Sequence, residues 1–244
     1  MNLQGKTILL PRGGSWATTA SAEVAKRGAE AVVGELIRFS GPEDSVPLEA
    51  ASQRLREGHY DWLIVTSPRT VTAIAQMEVP ASTRIAAVGQ STAKALAKIG
   101  LNAEFVPESE QSARGLVREW PDAAATRILL PRSAIAEPTI RDGLTARGIE
   151  VDDPIAYRTI GADLAPELRA RIHAGEIDFV FLTSGSTVRE FARQVGGDAP
   201  VKIVTIGPIT TRDARREGLE VTYEAATPNV PAMLDAIEEE RKPD

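Results

Sequence analysis

The chain of 244 residues contains no cysteine, which excludes disulfide bonds, thiolate nucleophiles and cysteine-ligated metal sites. It has two histidines, His59 and His173, and each stands where a helix is predicted to end, so that it would complement the helix dipole. The HExxH and GxSxG motifs are missing, as are the glycine patterns of phosphate loops and dinucleotide sites. We therefore predict no metal site and no cofactor.

Strong positive charge and long apolar segments are also missing. The net charge is −6 and no Lys/Arg-rich run occurs, so nucleic acid is not expected as a partner. No stretch approaches the ~20 apolar residues of a membrane span. The first apolar run, residues 8–10, is too short for the core of a signal peptide. We expect a cytoplasmic protein without a membrane partner.

Three blocks of sequence recur in the same order about 120 residues later. ILLPRGG from Ile8 matches ILLPRSA from Ile128, and DWLIVTSPRTV from Asp61 matches DFVFLTSGSTV from Asp178. The third pair is IAAVGQSTAKALAKIGL, which begins at residue 85, and IVTIGPITTRDARREGL, which begins at residue 203. This period is too long for a solenoid unit and predicts a duplicated module of domain size.

Within each module, short runs rich in β-branched residues alternate with helical stretches of about a dozen residues, which is typical of doubly wound, flavodoxin-like α/β folds. The sequence predicts two five-stranded parallel sheets, with strands near residues 6–10, 31–37, 61–66, 84–88, 102–106, 126–130, 150–155, 178–182, 202–206 and 220–224. Two partitions remain open at this point. The modules could follow one another with a boundary near residue 124, or the first βαβ unit could join the last three strands.

Four loops lead from a predicted buried strand into a predicted helix and carry small hydroxylated residues: 66–70, 89–92, 183–187 and 207–211. Ligands of open α/β sheets bind beyond the carboxyl ends of strands, and helix N-termini bind carboxylates through their N–H groups. Arg12 and Arg132 follow two further strands and could hold a carboxylate in bidentate fashion. The alternative, that these hydroxyls only cap helices and the two arginines are surface residues, remains open.

Six motifs, taken in their order and spacing, resemble the uroporphyrinogen-III synthase family: VTSPRTV, VGQSTAKALAKIGL, ILLPR, PIAYRTI, FLTSGSTVREF and IGPITTRDARREGL. The resemblance covers nearly the whole chain. It implies the second partition, with residues 1–37 and 160–244 in one domain and residues 40–157 in the other. Segments 35–40 and 155–160 would form a two-stranded hinge ladder, and the substrate would lie in a cleft between the domains.

The resemblance also implies a reaction. The family converts hydroxymethylbilane, a linear tetrapyrrole with eight carboxylates, into uroporphyrinogen III, with inversion of ring D and loss of water. Tyr157, in the YRT motif, would help the hydroxyl group leave, although it could instead pack structurally in the hinge ladder. The expected substrate contacts are Arg12, Ser67, Arg69, Gly89, Ser91, Thr92, Arg132, Ser184, Ser186, Gly207 and Thr210. We expect a monomer that receives its substrate from hydroxymethylbilane synthase.

Two other functions are compatible with this architecture. The chain could be a two-domain protein that binds or senses a small molecule. It could also be a sugar transferase of two Rossmann-like domains, although such an enzyme would normally carry acidic metal or ribose partners at a strand end, and none stands out.

Overall fold

The computed structural model describes residues 3–121 and 124–240. The strands are β1 (Thr7–Leu10), β2 (Glu30–Val33), β3 (Ile37–Ser40), β4 (Trp62–Val65), β5 (Arg84–Ala87), β6 (Arg127–Leu129), β7 (Arg132–Ser133), β8 (Glu150–Asp152), β9 (Ile155–Gly161), β10 (Phe179–Leu182), β11 (Lys202–Thr205) and β12 (Val221–Glu224). The helices are α1 (Gly14–Lys26), α2 (Val46–Arg56), α3 (Pro68–Ala73), α4 (Gln90–Ala97), α5 (Ala113–Arg118), α6 (Thr139–Thr145), α7 (Pro166–His173), α8 (Gly185–Gln194), α9 (Pro208–Arg216) and α10 (Val230–Glu238). None of the helices within these described ranges is both long and apolar enough to cross a membrane.

The chain divides into two compact units, unit 1 from Met1–Arg38 with Ile160–Asp244, and unit 2 from Phe39–Thr159. The chain leaves unit 1 after its second strand and returns to it for the last three strands of the sheet. The ends of the predicted first domain, residues 1–2 and 241–244, lie outside the described residues.

The sheet of unit 1 has the strand order β12-β11-β10-β1-β2, and its strands pair in parallel. Successive residues of a strand point to opposite faces, so Ile8 packs with α1 and α10 while Leu9 packs with α7, α8 and α9. Both faces are therefore covered. This explains why β10 is apolar at all four positions and does not alternate.

The sheet of unit 2 has the order β5-β4-β6-β8 and is also parallel. Leu63 packs with α2, α3 and α4 on one face, and Ile64 packs with α5 and α6 on the other. The prediction of a fifth strand at 102–106 is wrong for the described residues, since this segment contributes only one isolated bridge, between Ala86 and Phe105. Its residues include poor strand formers and end before Pro107, which has no N–H to donate to a ladder.

A third sheet contains the two segments at which the chain passes from one unit to the other. Its order is β3-β9-β7. The predicted ladder had two strands, and the structure adds β7, which pairs in parallel with β9. The sequence predicted that Arg132 lies in a loop. In the structure it lies in the short strand β7.

The two duplicated aspartates serve the same structural purpose in each unit. The carboxylate of Asp61, just before β4, accepts hydrogen bonds from the backbone N–H groups of Thr126 and Arg127, at 2.7 and 2.9 Å. The carboxylate of Asp178, just before β10, accepts from the Thr7 N–H at 2.9 Å and the Lys6 ammonium at 2.7 Å. Each aspartate thus fixes the start of one central strand to its neighbour.

These contacts also set the acidity of the two carboxyl groups. Partial burial alone would raise the pKa of Asp61, but the hydrogen bonds from residues 126 and 127 outweigh it, and the net pKa is lowered. In Asp178 the effect of burial is likewise outweighed, by Lys6 and Thr7, and the pKa is lowered. A carboxyl whose pKa is lower in the folded state stabilises the fold above its unfolded pKa. That contribution disappears as the pH falls through the folded pKa.

We predict that Asp61→Asn and Asp178→Asn each lower the free energy of unfolding by about 1 kcal/mol at pH 7, because the charge-assisted hydrogen bonds weaken. Urea unfolding at pH 7 and at a pH below about 4, the usual range for an aspartate, measures the effect. The difference from the parent protein should shrink at the lower pH. Asp198→Asn, at an exposed site, is the matched control and should change little. An equal loss at both pH values would contradict the role of the charge.

Candidate functional site

Three segments of unit 2, two loops and the short strand β7, follow neighbouring strands at the carboxyl edge of its four-stranded sheet. They follow β5, β4 and β6, and β4 lies between the other two. The loop after β4 carries Ser67 and Arg69, the loop after β5 carries Gly89, Ser91 and Thr92, and Arg132 follows β6. The parallel sheet thus places six of the predicted contacts along one edge.

Ser67 is both a helix cap and a neighbour of Tyr157. Its Oγ accepts a hydrogen bond from the N–H of Thr70 at 3.1 Å, which caps α3. The same Oγ lies 3.3 Å from the Tyr157 hydroxyl and 3.0 Å from the Thr70 hydroxyl. Either hydroxyl can donate in the contact between Ser67 and Tyr157, because Ser67 has one proton and a second acceptor position. When Ser67 donates, the Tyr157 proton is available to a third group.

Arg69 and Tyr157 line one concavity of about 300 Å³ in unit 2. The guanidinium carbon of Arg69 lies 3.8 Å from the ring centroid of Phe39. The Phe39 and Tyr157 rings meet edge to face, with centroids 6.0 Å apart. Apolar walls come from Leu48, Ala73 and Ala156. A guanidinium and a phenol hydroxyl are thus presented on a partly apolar surface, where hydrogen bonds to a ligand are stronger than in bulk water.

The two arginines of unit 2 differ in their partners. Arg132 donates from Nε to a carboxylate oxygen of Asp153 at 2.8 Å and from Nη1 to the Ser133 carbonyl at 3.1 Å. Arg69 forms no ion pair with any of the described residues. The predicted contact at Arg132 therefore already has a carboxylate partner, whereas the guanidinium of Arg69 is available to a ligand.

The loop after β5 is closed by a residue that the sequence did not single out. The side-chain oxygen of Gln111 accepts a hydrogen bond from the N–H of Gln90, the first residue of α4, at 2.9 Å. A Cβ at Gly89 would lie 3.0 Å from that oxygen, so a glycine allows this close approach. Ser91 is exposed, but Thr92 is buried, and its hydroxyl is not presented to solvent as the prediction requires.

In unit 1, the loop after β10 is engaged in its own capping. Ser184 caps α8 by accepting from the Thr187 N–H at 3.3 Å, and the Thr187 hydroxyl oxygen accepts from the N–H groups of Thr183 and Ser184. Ser186 accepts from the guanidinium of Arg189 at 3.3 Å. The capping alternative therefore describes Ser184 in this structure.

The other predicted contacts of unit 1 lie in two places. The guanidinium carbon of Arg12 lies 4.3 Å from the ring centroid of Trp16, on α1. Gly207 and Thr210 line a mainly apolar concavity of about 390 Å³ with residues 225–228 and the exposed Ile209. Thr210 is itself buried, so polar contacts here are left to the backbone at the start of α9 and to the exposed Thr227.

The structure brings Ser67, Arg69 and Tyr157 together in unit 2, and it adds Phe39, Gln111 and Asp153, which the sequence analysis missed. Tyr157 lies 90 positions from Ser67, and no local pattern links the two. Phe39 could have been noticed as an aromatic residue in the segment that faces PIAYRTI in the proposed ladder. For Gln111 and Asp153 the sequence carries no comparable signal.

Comparison with known proteins identifies the family. The family described as uroporphyrinogen-III synthase HemD matches residues 18–235, which is most of the chain. The chain belongs to the uroporphyrinogen-III synthase family. It is accordingly an enzyme of porphyrin biosynthesis with a cyclising lyase activity. The resemblance seen in the six sequence motifs is confirmed.

Individual members of the family match along the full chain. A uroporphyrinogen-III synthase of Synechococcus elongatus is 29% identical over 97% of this chain and 96% of its own. A mutant uroporphyrinogen III synthase from the extremely thermophilic bacterium Thermus thermophilus superposes with a TM-score of 0.64, covers 97% of this chain and 98% of its own, and is 18% identical. The enzyme from Helicobacter pylori 26695 gives the same TM-score at 16% identity, over 97% of this chain and 100% of its own. The two structures support the α/β fold with parallel sheets.

The contrast between the two arginines of unit 2 predicts different effects of their removal. If Arg69 binds a substrate carboxylate, as expected from the sequence, Arg69→Met should raise the KM for the tetrapyrrole substrate of the uroporphyrinogen-III synthase family by about tenfold or more, because a charge-assisted hydrogen bond is lost. Its melting temperature should change little. Arg132→Met should lower the melting temperature by ~2–4 °C, because Asp153 loses its shorter ion pair.

Steady-state kinetics and thermal unfolding of both variants test this contrast. Arg141→Met, which removes the longer 3.5 Å contact to the same Asp153 carboxylate, is the matched control for Arg132. The predicted difference between the two arginines would be contradicted if Arg69→Met had a lower melting temperature than the parent protein and an unchanged KM.

Proposed function

We propose that this chain converts hydroxymethylbilane into uroporphyrinogen III by holding the linear substrate so that ring D closes in the inverted orientation. The terminal hydroxymethyl group loses hydroxide, which leaves an azafulvene cation. The substituted carbon of ring D attacks this cation and forms a spiro pyrrolenine. The bond between the spiro carbon and the methylene group of ring C then breaks and leaves an azafulvene cation on ring C. The other α-carbon of ring D attacks this cation, and loss of a proton gives the product. Overall, one water molecule leaves.

The observation that carries this proposal, beside family membership, is the group formed by Ser67, Arg69 and Tyr157. The Arg69 guanidinium, which has no carboxylate partner among the described residues, and Tyr157 line a single concavity of unit 2, and Ser67 contacts the Tyr157 hydroxyl. A carboxylated pyrrole matches these groups, since its acid arm can bind the guanidinium while its hydroxymethyl group approaches the phenol.

The main requirement of this reaction is that the protein orients the linear substrate correctly. Unassisted closure gives the symmetrical type I isomer, so the enzyme must favour attack through the substituted carbon. Correct orientation of two reacting groups can lower a barrier by several kcal/mol. The side chains grouped here supply hydrogen bonds and one positive charge and include no strong nucleophile, which agrees with such a role.

Tyr157 is proposed to donate a hydrogen bond to the departing hydroxyl group. The 3.3 Å contact between the Ser67 and Tyr157 hydroxyl oxygens supports this role, because a Ser67 hydroxyl that donates to the phenol oxygen leaves the phenol proton for the substrate. The developing negative charge on the leaving oxygen is then met by the phenol proton. The alternative is that Tyr157 has only a structural role and packs against Phe39, which the same ring contact would allow. The Tyr157→Phe variant described below distinguishes the two roles.

The remaining contacts and partners form part of the same proposal. We propose that the substrate also meets loops of unit 1, at Arg12, Ser184, Ser186, Gly207 and Thr210, and that backbone N–H groups supply most of these contacts. One functional domain would comprise residues 1–37 and 160–244 and contain a five-stranded sheet, and the other would comprise residues 40–157. Segments 35–40 and 155–160 would form the hinge. The enzyme would act as a cytoplasmic monomer that receives its substrate from hydroxymethylbilane synthase.

The net charge of −6 does not oppose an octa-anionic substrate. Clefts focus the local field, so a few arginines and helix N-termini can attract carboxylates independently of the total charge. In unit 2, Arg69 lies beside the N-terminal end of α3, where both contributions have the same sign.

A coupled assay tests the proposed function. The purified protein is incubated with porphobilinogen and hydroxymethylbilane synthase, and the oxidised product is separated into its type I and type III isomers. We expect the type III isomer to predominate, with type I alone in the control without this protein. Type I alone in the presence of the folded protein would refute the proposal and would leave the binding or sensing alternative.

Tyr157→Phe tests the role of the phenol proton. The ring and its packing on Phe39 remain, so the melting temperature should stay unchanged, while kcat should fall several-fold or more, since general acid assistance contributes about a hundredfold or more. Tyr60→Phe, which loses a phenol that donates to Asp152 away from the concavity, is the matched control and should lose stability and keep its kcat. A parent kcat and parent isomer ratio in Tyr157→Phe would remove Tyr157 from the mechanism.

A further inference from the structure

We infer that Phe39 is a positioning residue of this enzyme, which orients the Arg69 guanidinium and the Tyr157 phenol with two different parts of one aromatic ring. The inference rests on the function proposed above. It adds a residue that makes no polar contact with a substrate and acts through two residues that do.

The geometry gives Phe39 two simultaneous contacts. The face of its ring holds the Arg69 guanidinium carbon at 3.8 Å from the centroid, and a cation is attracted to the negative charge of an aromatic face. Phe39 and Tyr157 meet at an interplanar angle of 70° with centroids 6.0 Å apart, within the range of favourable edge-to-face pairs. A single side chain therefore restricts both donors of the concavity.

Phe39 is not a residue of the apolar core. Neither buried cluster of unit 2 contains it, whereas Phe105 packs against one of them. Phe39 is half-buried, lies in β3 and lines the concavity with Arg69 and Tyr157. Its aromatic surface is thus exposed to a ligand space, and it contributes less to the packing of the sheet than the buried side chains do.

Arg69 depends on this ring because it has no other anchor among the described residues. Arg132, in contrast, is held by Asp153 and a backbone carbonyl. A carboxylate anchor would compete with the carboxylates of a substrate, but an aromatic face orients a guanidinium and leaves its N–H groups available. The ring thereby reduces the rotational freedom that Arg69 would lose when a substrate binds.

Substitution of the ring tests this inference. Phe39→Leu keeps an apolar side chain and removes the aromatic face, and Phe39→Tyr keeps the face. We expect Phe39→Leu to raise KM about two- to fivefold, as the loss of a cation–π contact at a partly exposed site predicts, and to raise the fraction of type I product. Phe39→Tyr should restore both values to within about twofold of the parent. Far-ultraviolet circular dichroism and the melting temperature establish that each variant is folded.

A double-mutant cycle shows whether Phe39 acts through Arg69. If it does, Phe39→Leu introduced into Arg69→Met should change KM by less than about half of its effect in the parent, on a logarithmic scale. A second cycle, which combines Phe39→Leu with Tyr157→Phe, measures how much of the effect of Phe39→Leu on kcat depends on the Tyr157 hydroxyl. Leu48→Met, in the wall of the same concavity, controls for a general effect of repacking and should not reproduce the coupling with Arg69.

The outcomes separate this inference from the proposed function. If the parent protein forms no type III product, the proposed function fails. If the parent forms type III and Phe39→Leu matches it in KM and isomer ratio, only the role of Phe39 is refuted. Independent, fully additive effects of Phe39→Leu and Arg69→Met would also overturn it, as would equal defects in Phe39→Leu and Phe39→Tyr.

Discussion

Burial of both faces of each parallel sheet is the constraint on which the rest of the molecule depends. Strands such as β4 and β10 carry apolar side chains at every position, because helices cover the sheet from both sides. Polar groups are consequently excluded from β4 and β10 and follow where these strands end. The parallel arrangement then places the ends of neighbouring strands at one edge. In unit 2 this brings the segments that follow β4, β5 and β6 to the same edge of the sheet.

The same constraint explains how far the sequence alone could predict this fold. Buried strands are recognisable in the sequence as short apolar runs. Asp61 and Asp178 stand at equivalent positions just before two such strands, and the carboxylate of each accepts a hydrogen bond from the start of a neighbouring strand. The segment near Phe105 shows the limit. Its spacing suits a strand, but a partner is available on one side only and Pro107 ends the ladder, so one bridge forms. The short strand β7 depends on pairing with β9 and has no signal of its own.

The candidate site was less predictable because its contacts join residues that are distant in sequence. The motif around Ser67 predicted a helix cap, and the cap is present, but only the folded chain shows the Tyr157 hydroxyl beside it. Arg69 and Arg132 were both expected to contact the substrate, and the structure distinguishes them by their partners. Whether an arginine is engaged or available depends on the position of one carboxylate, here Asp153, and spacing does not contain that information.

A reaction that needs orientation more than reactive groups makes particular demands on the residues behind the contacts. A guanidinium that points in several directions loses part of its binding energy to ordering, and a mispositioned donor lets the unassisted closure compete. An aromatic ring meets this demand at low cost, because it restricts a cation without neutralising it. An arginine also lies over an aromatic ring in the other unit, where the guanidinium carbon of Arg12 is 4.3 Å from the ring centroid of Trp16. Positioning of this kind leaves no catalytic motif in the sequence, and the group of residues proposed for this chain accordingly consists of ordinary arginine, serine and tyrosine side chains.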